Sequence, residues 1–242
     1  MNHPPMHQPP MRHPAVPTAE MISADMAAFM TKVYAFMGAG LAVTGLTAWI
    51  VANTPLLVEI IFGNRLVFYG LLFGELAMVW TFASVARRVS ALAAVGLFLA
   101  YAVVNGLTLS IIFLVYTTAS ISVAFFVTAG TFGVMSVWGL VTKRDLSGVG
   151  HFAMMGLIGL ILAMIVNFLL NSPMLYWLTT CGGVLIFVAL TAYDTQKIKE
   201  LNVIGNAGTD EDNKEAVHGA LILYLDFINL FLFLLRLFGR RR

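Results

Sequence analysis

From about residue 33 onward the chain is a succession of long apolar runs separated by short polar breaks. A membrane helix needs about 20 apolar residues. Residues 33–52 supply the first and stop at Asn53-Thr54-Pro55, and residues 66–86 supply the second, broken only by Glu75. Between residues 89 and 142 there is no Lys, Arg, Asp or Glu. At about 1.5 Å per residue that stretch is far longer than one ~30 Å crossing, so it predicts two spans, with a turn near residues 116–120. Residues 146–193 are likewise charge-free and break at Asn171-Ser172-Pro173, predicting a fifth span over 150–170 and a sixth over 174–193. Residues 217–238 make the seventh. The pattern predicts an all-α membrane protein with seven transmembrane helices.

Composition agrees and narrows the function classes. Only 11% of residues are charged, against about 25% in an ordinary soluble domain. Net charge is +2 and the basic residues are scattered or terminal, without the aromatic-interleaved basic stripe that nucleic-acid binding requires. Nucleic acid is therefore not an expected partner. Cys181 is the sole cysteine, which leaves no disulfide framework and no Cys-based metal site. Residues 1–20 hold six prolines, with His3, His7 and His13 among them. We read residues 1–25 as a disordered, solvated tail, although its His and Met side chains are a donor set for a soft metal. Residues 26–242 form the transmembrane domain. The one long connection, residues 196–216, carries Asp210, Glu211, Asp212, Lys214 and Glu215 and is too short to hide a soluble domain. Small residues such as Gly38, Gly40, Gly45, Gly130, Gly133, Gly156, Gly159, Gly182 and Gly183 read as scaffold, because they let helices approach closely in lipid.

For seven crossings, nine Lys and Arg fall on the N-terminal side and five on the other, counting residues 12, 32, 87, 88, 143, 144, 197, 199 and 214 against 65, 236, 240, 241 and 242. This excess favours a cytoplasmic N-terminus. The Arg-rich C-terminus stays open at this point. A re-entrant last segment would return it to the N-terminal face and make the count thirteen to one.

Candidate chemistry begins at Asp226, in the middle of the last apolar run. An ionised Asp at a helix centre costs roughly 2.5–3.5 kcal/mol to insert, so such residues face a bundle interior and mark ion or proton paths. Asn229 lies one turn away on the same face and adds a carbonyl oxygen. Asp194 ends the sixth run, with Thr191 one turn earlier. It reads equally as a second intramembrane acid or as a solvated end charge paired with Lys197. Glu75 is the third acid at mid-membrane, either in a conduction path or hydrogen-bonded to a neighbouring helix. Arg87 and Arg88 close the same span, as topology signals or as partners for a carboxylate. No HExxH, P-loop or GxSxG is present, and His151 and His218 have no obvious nucleophile partner, so no enzymatic activity is expected.

The stretches ALTAYDTQKIK (residues 189–199) and LYLDFINLFLFLLRLFG (residues 223–239) resemble the bacterial branch of the transmembrane Bax inhibitor motif family. The resemblance runs from about residue 25 to the end. It implies that the seventh helix is central and wrapped by the other six, and that the protein is a pH-sensitive calcium leak of the bacterial inner membrane with calcium as permeant ion and no cofactor. It further implies that Asp194 and Asp226 form a hydrogen-bonded pair, that Arg87 or Arg88 supports it, and that Glu75 lines the path. Some family members restrain a membrane-anchored AAA protease, which makes a non-conducting regulator the alternative. A proton-coupled transporter is third. Two acids in contact at low dielectric share one proton. Losing it creates a cation-attracting site to which Asp194, Asp226, Asn229 and a hydroxyl such as Thr191 would contribute oxygens.

Overall fold

The structure is a computed structural model that describes residues 18–86, 88–203 and 205–242. The described residues are helical with short turns. The elements are α1 (Ala19–Ala52), α2 (Pro55–Gly63), α3 (Arg65–Val85), α4 (Ala91–Leu109), α5 (Ile111–Val115), α6 (Thr118–Val141), α7 (Ser147–Leu170), α8 (Pro173–Leu201) and α9 (Asp210–Phe238). Counting α4 and α5 as one span, seven helices among the described residues are long and apolar enough to cross a membrane.

Local chemistry sets the helix ends. Thr18 caps α1 by accepting a hydrogen bond from the Met21 amide, and Glu20 sits in the first turn. Helix therefore begins at Ala19, earlier than the expected tail boundary at residue 25. The three tail histidines lie outside the described residues. The predicted break after α7 is a left-handed Asn171 (φ +50°), followed by Ser172 as N-cap and Pro173 at the first helical position of α8. The nine-residue α2 was not anticipated, since it is too short to register as a span. At its other end α8 outruns the predicted sixth span by eight residues, from 193 to Leu201. Its extra turns are fastened to the α6–α7 connection and the end of α6: Gln196 accepts from the Leu146 amide (2.8 Å) and donates to the Arg144 carbonyl (2.9 Å), and Lys199 donates to the Leu140 carbonyl in the last turn of α6 (3.0 Å).

Helix α9 is the axis of the bundle. It packs chiefly against α1, α4, α6 and α8, whereas α7 leans on α8, and α3 leans on α4 and α2. Four helices thus supply most of the cover that the family resemblance distributes over six. One stripe of α9 stays only partly covered, through His218, Ile222, Leu225, Asn229 and Leu232, ending at the exposed Arg236. Its spacing of three and four residues marks a single helical face, left open between α3 and α7.

Both ends of α9 are pinned. At the N-terminal end Lys32 of α1 pairs with the buried Asp212, which also accepts from the Gly208 amide (2.7 Å), and Asp210 accepts from the Ala91 amide that starts α4 (2.8 Å). At the C-terminal end Arg241 bridges antiparallel to Tyr116, with Arg242 donating to the Val115 carbonyl (2.9 Å) and the Thr117 amide donating to the Arg240 carbonyl (3.2 Å). The C-terminus therefore lies at the α5–α6 turn, on the face opposite the start of α1. A re-entrant last segment is excluded, because α9 runs through the bundle unbroken.

Close approaches fall on only some of the glycines expected to serve them. A Cβ on Gly40 would meet the Phe98 ring at 2.5 Å and one on Gly183 the Phe233 ring at 2.5 Å, but Gly38, Gly45, Gly130, Gly133, Gly159 and Gly182 face open space. The backbone of α1 comes close to α4 at Gly106, where a Cβ would stand 2.7 Å from the Thr44 carbonyl oxygen. Gly106→Val is expected to cost about 1–3 kcal/mol through overpacking. Gly130→Ala should be neutral or slightly favourable, and thermal unfolding in detergent compares the two.

Candidate functional site

Asp226 occupies the middle of α9 and is 5% exposed. Asp194 lies seven residues before the end of α8, inside the helix and half-buried. Their carboxyl groups are hydrogen-bonding neighbours. The alternative partner of Asp194 is ruled out by geometry, because Lys197 pairs with Glu200 at 2.9 Å. Asp226 Oδ2 is buried and takes no hydrogen bond from any N–H or O–H donor among the described residues. A buried oxygen without a donor is costly. A proton held between the two acids, or a cation, removes that cost.

The pair lines a cavity of about 380 Å³ between α7, α8 and α9, walled otherwise by Leu160, Met164, Phe187 and Phe233. Asn229 lines it too. Its amide NH₂ donates to the Leu225 carbonyl of its own helix (2.8 Å), which leaves the side-chain carbonyl as the acceptor available to the cavity. Thr191 is fully buried, donates to the Phe187 carbonyl (2.7 Å) and is not among the lining residues. Its hydroxyl is turned to its own helix, so the structure does not bring it to the acids.

Glu75 stands apart from the pair. It lines a second cavity of about 430 Å³ with Asn105, Thr108 and the α9 residues Leu225, Ile228, Asn229 and Leu232. Thr108 donates to Glu75, and Asn105 is its second hydrogen-bonding neighbour. The two acid-lined cavities share Leu225 and Asn229, so the open stripe of α9 links them. Arg88 is exposed, and Arg87 lies outside the described residues. Among the described residues no group of three or more His, Cys, Asp or Glu is placed to hold a metal ion.

Several polar residues of the centre were not singled out by sequence. The fully buried Tyr224 hydroxyl donates to Asn105 Oδ1 (3.0 Å) and meets the Thr44 hydroxyl at 2.6 Å, joining α9 to α4 and α1. The Tyr224 ring packs edge-on against Phe98 and Tyr101. Asn105 also lines the Glu75 cavity, so this network borders it. Arg236 lies over the Phe233 ring, 5.4 Å from its centroid, at the edge of the aspartate cavity. A polar residue on an apolar helix was the only available signal, since its partner cannot be read from one sequence.

Comparison with known proteins decides the family. The family model described as "Inhibitor of apoptosis-promoting Bax1" matches residues 26–242. The chain belongs to the Bax inhibitor family. Inner membrane protein YbhL of Escherichia coli (strain K12) is 49% identical over 220 residues, covering 90% of this chain and 94% of that protein. An uncharacterized protein of Deinococcus radiodurans is 42% identical over 213 residues, covering 88% and 90%. The uncharacterized protein YrjE of Lactococcus lactis is 40% identical over 219 residues, covering 90% and 92%. The family resemblance in the last two helices thus extends across the transmembrane domain, in a Bax inhibitor family protein with seven membrane-spanning helices.

Tyr224→Phe removes the hydroxyl that serves Asn105 and Thr44 and leaves a buried acceptor unpaired. A loss of about 1–3 kcal/mol follows, measured as a lower unfolding midpoint in detergent, whereas Asn229→Ala on the open stripe should lose less.

Proposed function

We propose that this protein is a passive, pH-sensitive calcium leak of the bacterial inner membrane, non-enzymatic, with its N-terminus in the cytoplasm and the Asp194–Asp226 pair as its gate. The observation that carries the reading is the contact between two carboxyls in the bundle, one of them with a buried oxygen that no described donor satisfies. The orientation rests on the nine-to-five excess of Lys and Arg on the N-terminal side.

The sign of the pH response follows from charge. At low pH one proton lies between the acids and their hydrogen bond ties α8 to α9. As pH rises that proton is lost and both acids are charged. Two unit charges about 4 Å apart repel by about 4 kcal/mol at an effective dielectric of about 20, enough to loosen a helix contact. The same step makes the cavity a cation site. Calcium takes six to eight oxygens, and Asp194, Asp226 and the Asn229 carbonyl supply part of the set, with water for the rest. A site with few protein ligands binds weakly, as conduction requires. Glu75, one shared residue away, offers the next oxygen along the stripe.

In liposomes loaded with a calcium dye, influx should increase as pH is raised. Asp194→Asn and Asp226→Asn should each flatten that pH dependence, because an Asn–Asp contact keeps its hydrogen bond without a second charge. Glu75→Gln should lower flux and leave the pH midpoint in place. Unchanged pH dependence in both Asp variants rejects the gate. No flux at any pH, together with a membrane-anchored AAA protease that co-purifies in stoichiometric amount, replaces the leak with the regulatory reading. Concentrative uptake driven by a pH gradient replaces it with a proton-coupled transporter.

A further inference from the structure

On the other side of α9 from the aspartate pair lies an apolar groove with no part in the proposed gate. Its cavity, about 340 Å³, runs between α1 and α6, with Gly45, Ile112, Phe113 and Phe125 on its walls and Phe227 and Phe231 as its floor. The groove opens toward the surrounding medium at Gly45 and at Phe126, which is 72% exposed. Its depth has a direction. Thr118 and Ser122, in the first turns of α6, stand at the C-terminal face. Phe227 lies eleven residues before the end of α9, about 16 Å into the bundle.

The groove's polar end meets the C-terminal arginines. The Thr117 amide, next in the chain to Thr118, donates to the Arg240 carbonyl (3.2 Å), and the Arg240 amide donates to Ser120 Oγ (3.0 Å), which holds Arg240 and Arg242 at the same end of α6 as the mouth. Arg241 is engaged with Tyr116 and Tyr176, whereas the exposed Arg240 and Arg242 take part in no ion pair among the described residues. The ion pairs found there, Lys32–Asp212, Lys197–Glu200 and Lys214 with Asp210 and Glu211, all belong to the opposite face. The C-terminal face carries Arg65, Arg236, Arg240, Arg241 and Arg242 against Glu59, an unbalanced positive field at headgroup depth.

We propose that this groove binds one anionic phospholipid, with an acyl chain lying on Phe227 and Phe231 and the phosphate headgroup held by Arg240 and Arg242. Apolar depth, a hydroxyl-lined mouth and uncompensated guanidinium groups occur in the order in which such a lipid presents its tail, ester region and phosphate. A zwitterionic lipid fills the depth equally well and gains nothing from the net charge.

Native mass spectrometry of the delipidated full chain, titrated with palmitoyl-oleoyl phosphatidylglycerol or phosphatidylcholine, tests this. One phosphatidylglycerol should bind at least about tenfold more tightly than phosphatidylcholine. Arg240→Gln combined with Arg242→Gln should weaken that lipid by about thirtyfold, at the strength expected for two basic residues near a headgroup layer. Because Arg240 and Arg242 meet the α5–α6 turn and the start of α6 through their own backbone atoms, this variant keeps the fold. Gly45→Leu, whose Cβ enters open space, should fill the groove and abolish the one-to-one complex. Equal retention of the two lipids overturns the proposal, as does a preference that survives Gly45→Leu or a dimer that forms in place of the lipid complex. If Gly45→Leu fails to fold, the double Arg variant decides alone.

Discussion

A carboxyl group at the middle of the central helix must find its partner inside the bundle, because lipid offers none. Much of the arrangement follows from that constraint on Asp226. Asp194 meets it because α8 continues as helix beyond its apolar run, where Gln196 and Lys199 bond carbonyls of the α6–α7 connection and of the last turn of α6. Fastenings at the membrane edge thus set the depth at which the second acid is held. The same rule explains Tyr224 and Asn105. Each is buried in an apolar helix and each completes the other's hydrogen bonding, so the polar atoms of the centre act as specific joints between helices.

These joints divide the bundle into a fixed part and a looser part. Helices α1, α4, α6 and α8 surround α9, with close backbone approach at Gly106 and ring contacts at Gly40 and Gly183. Helices α3 and α7 stand outside, each facing α9 across an acid-lined cavity. Asn229 belongs to both cavities and is the polar side chain that the Asp226 and Glu75 cavities share.

The seven spans were legible because charge-free runs of apolar residues have few alternatives in length or composition, and the turn at Asn171-Ser172-Pro173 carries its own stereochemistry. Asp226 was legible for a related reason, since an acid in such a run stands out by its insertion cost. Asp194 was ambiguous by the same measure. Hydropathy places it at the end of a span, whereas the helix end lies seven residues further on, in residues polar enough to resemble a loop. Thr191 shows the limit of helical spacing, which places it one turn from Asp194 but cannot show that its hydroxyl turns back to the Phe187 carbonyl. The Tyr224 network was hidden because tyrosine, threonine and asparagine are common in membrane helices and only their mutual positions give them meaning. The side of the C-terminus was also closed to a charge count, because its four arginines fit either face until the Tyr116–Arg241 bridge fixes one.

The two ends of α9 are held by different chemistry. At the N-terminal face it is fastened by ionised side chains, the Asp212 pair with Lys32 and the Asp210 bond to the first amide of α4. At the C-terminal face the fastening is a backbone ladder to the α5–α6 turn, which carries no charge and is insensitive to pH. In the proposed gate, an acid pair at mid-depth changes charge in a helix fastened at both ends, so repulsion between Asp194 and Asp226 would be relieved sideways, toward the α7 and α3 flanks where α9 faces cavities rather than packed side chains.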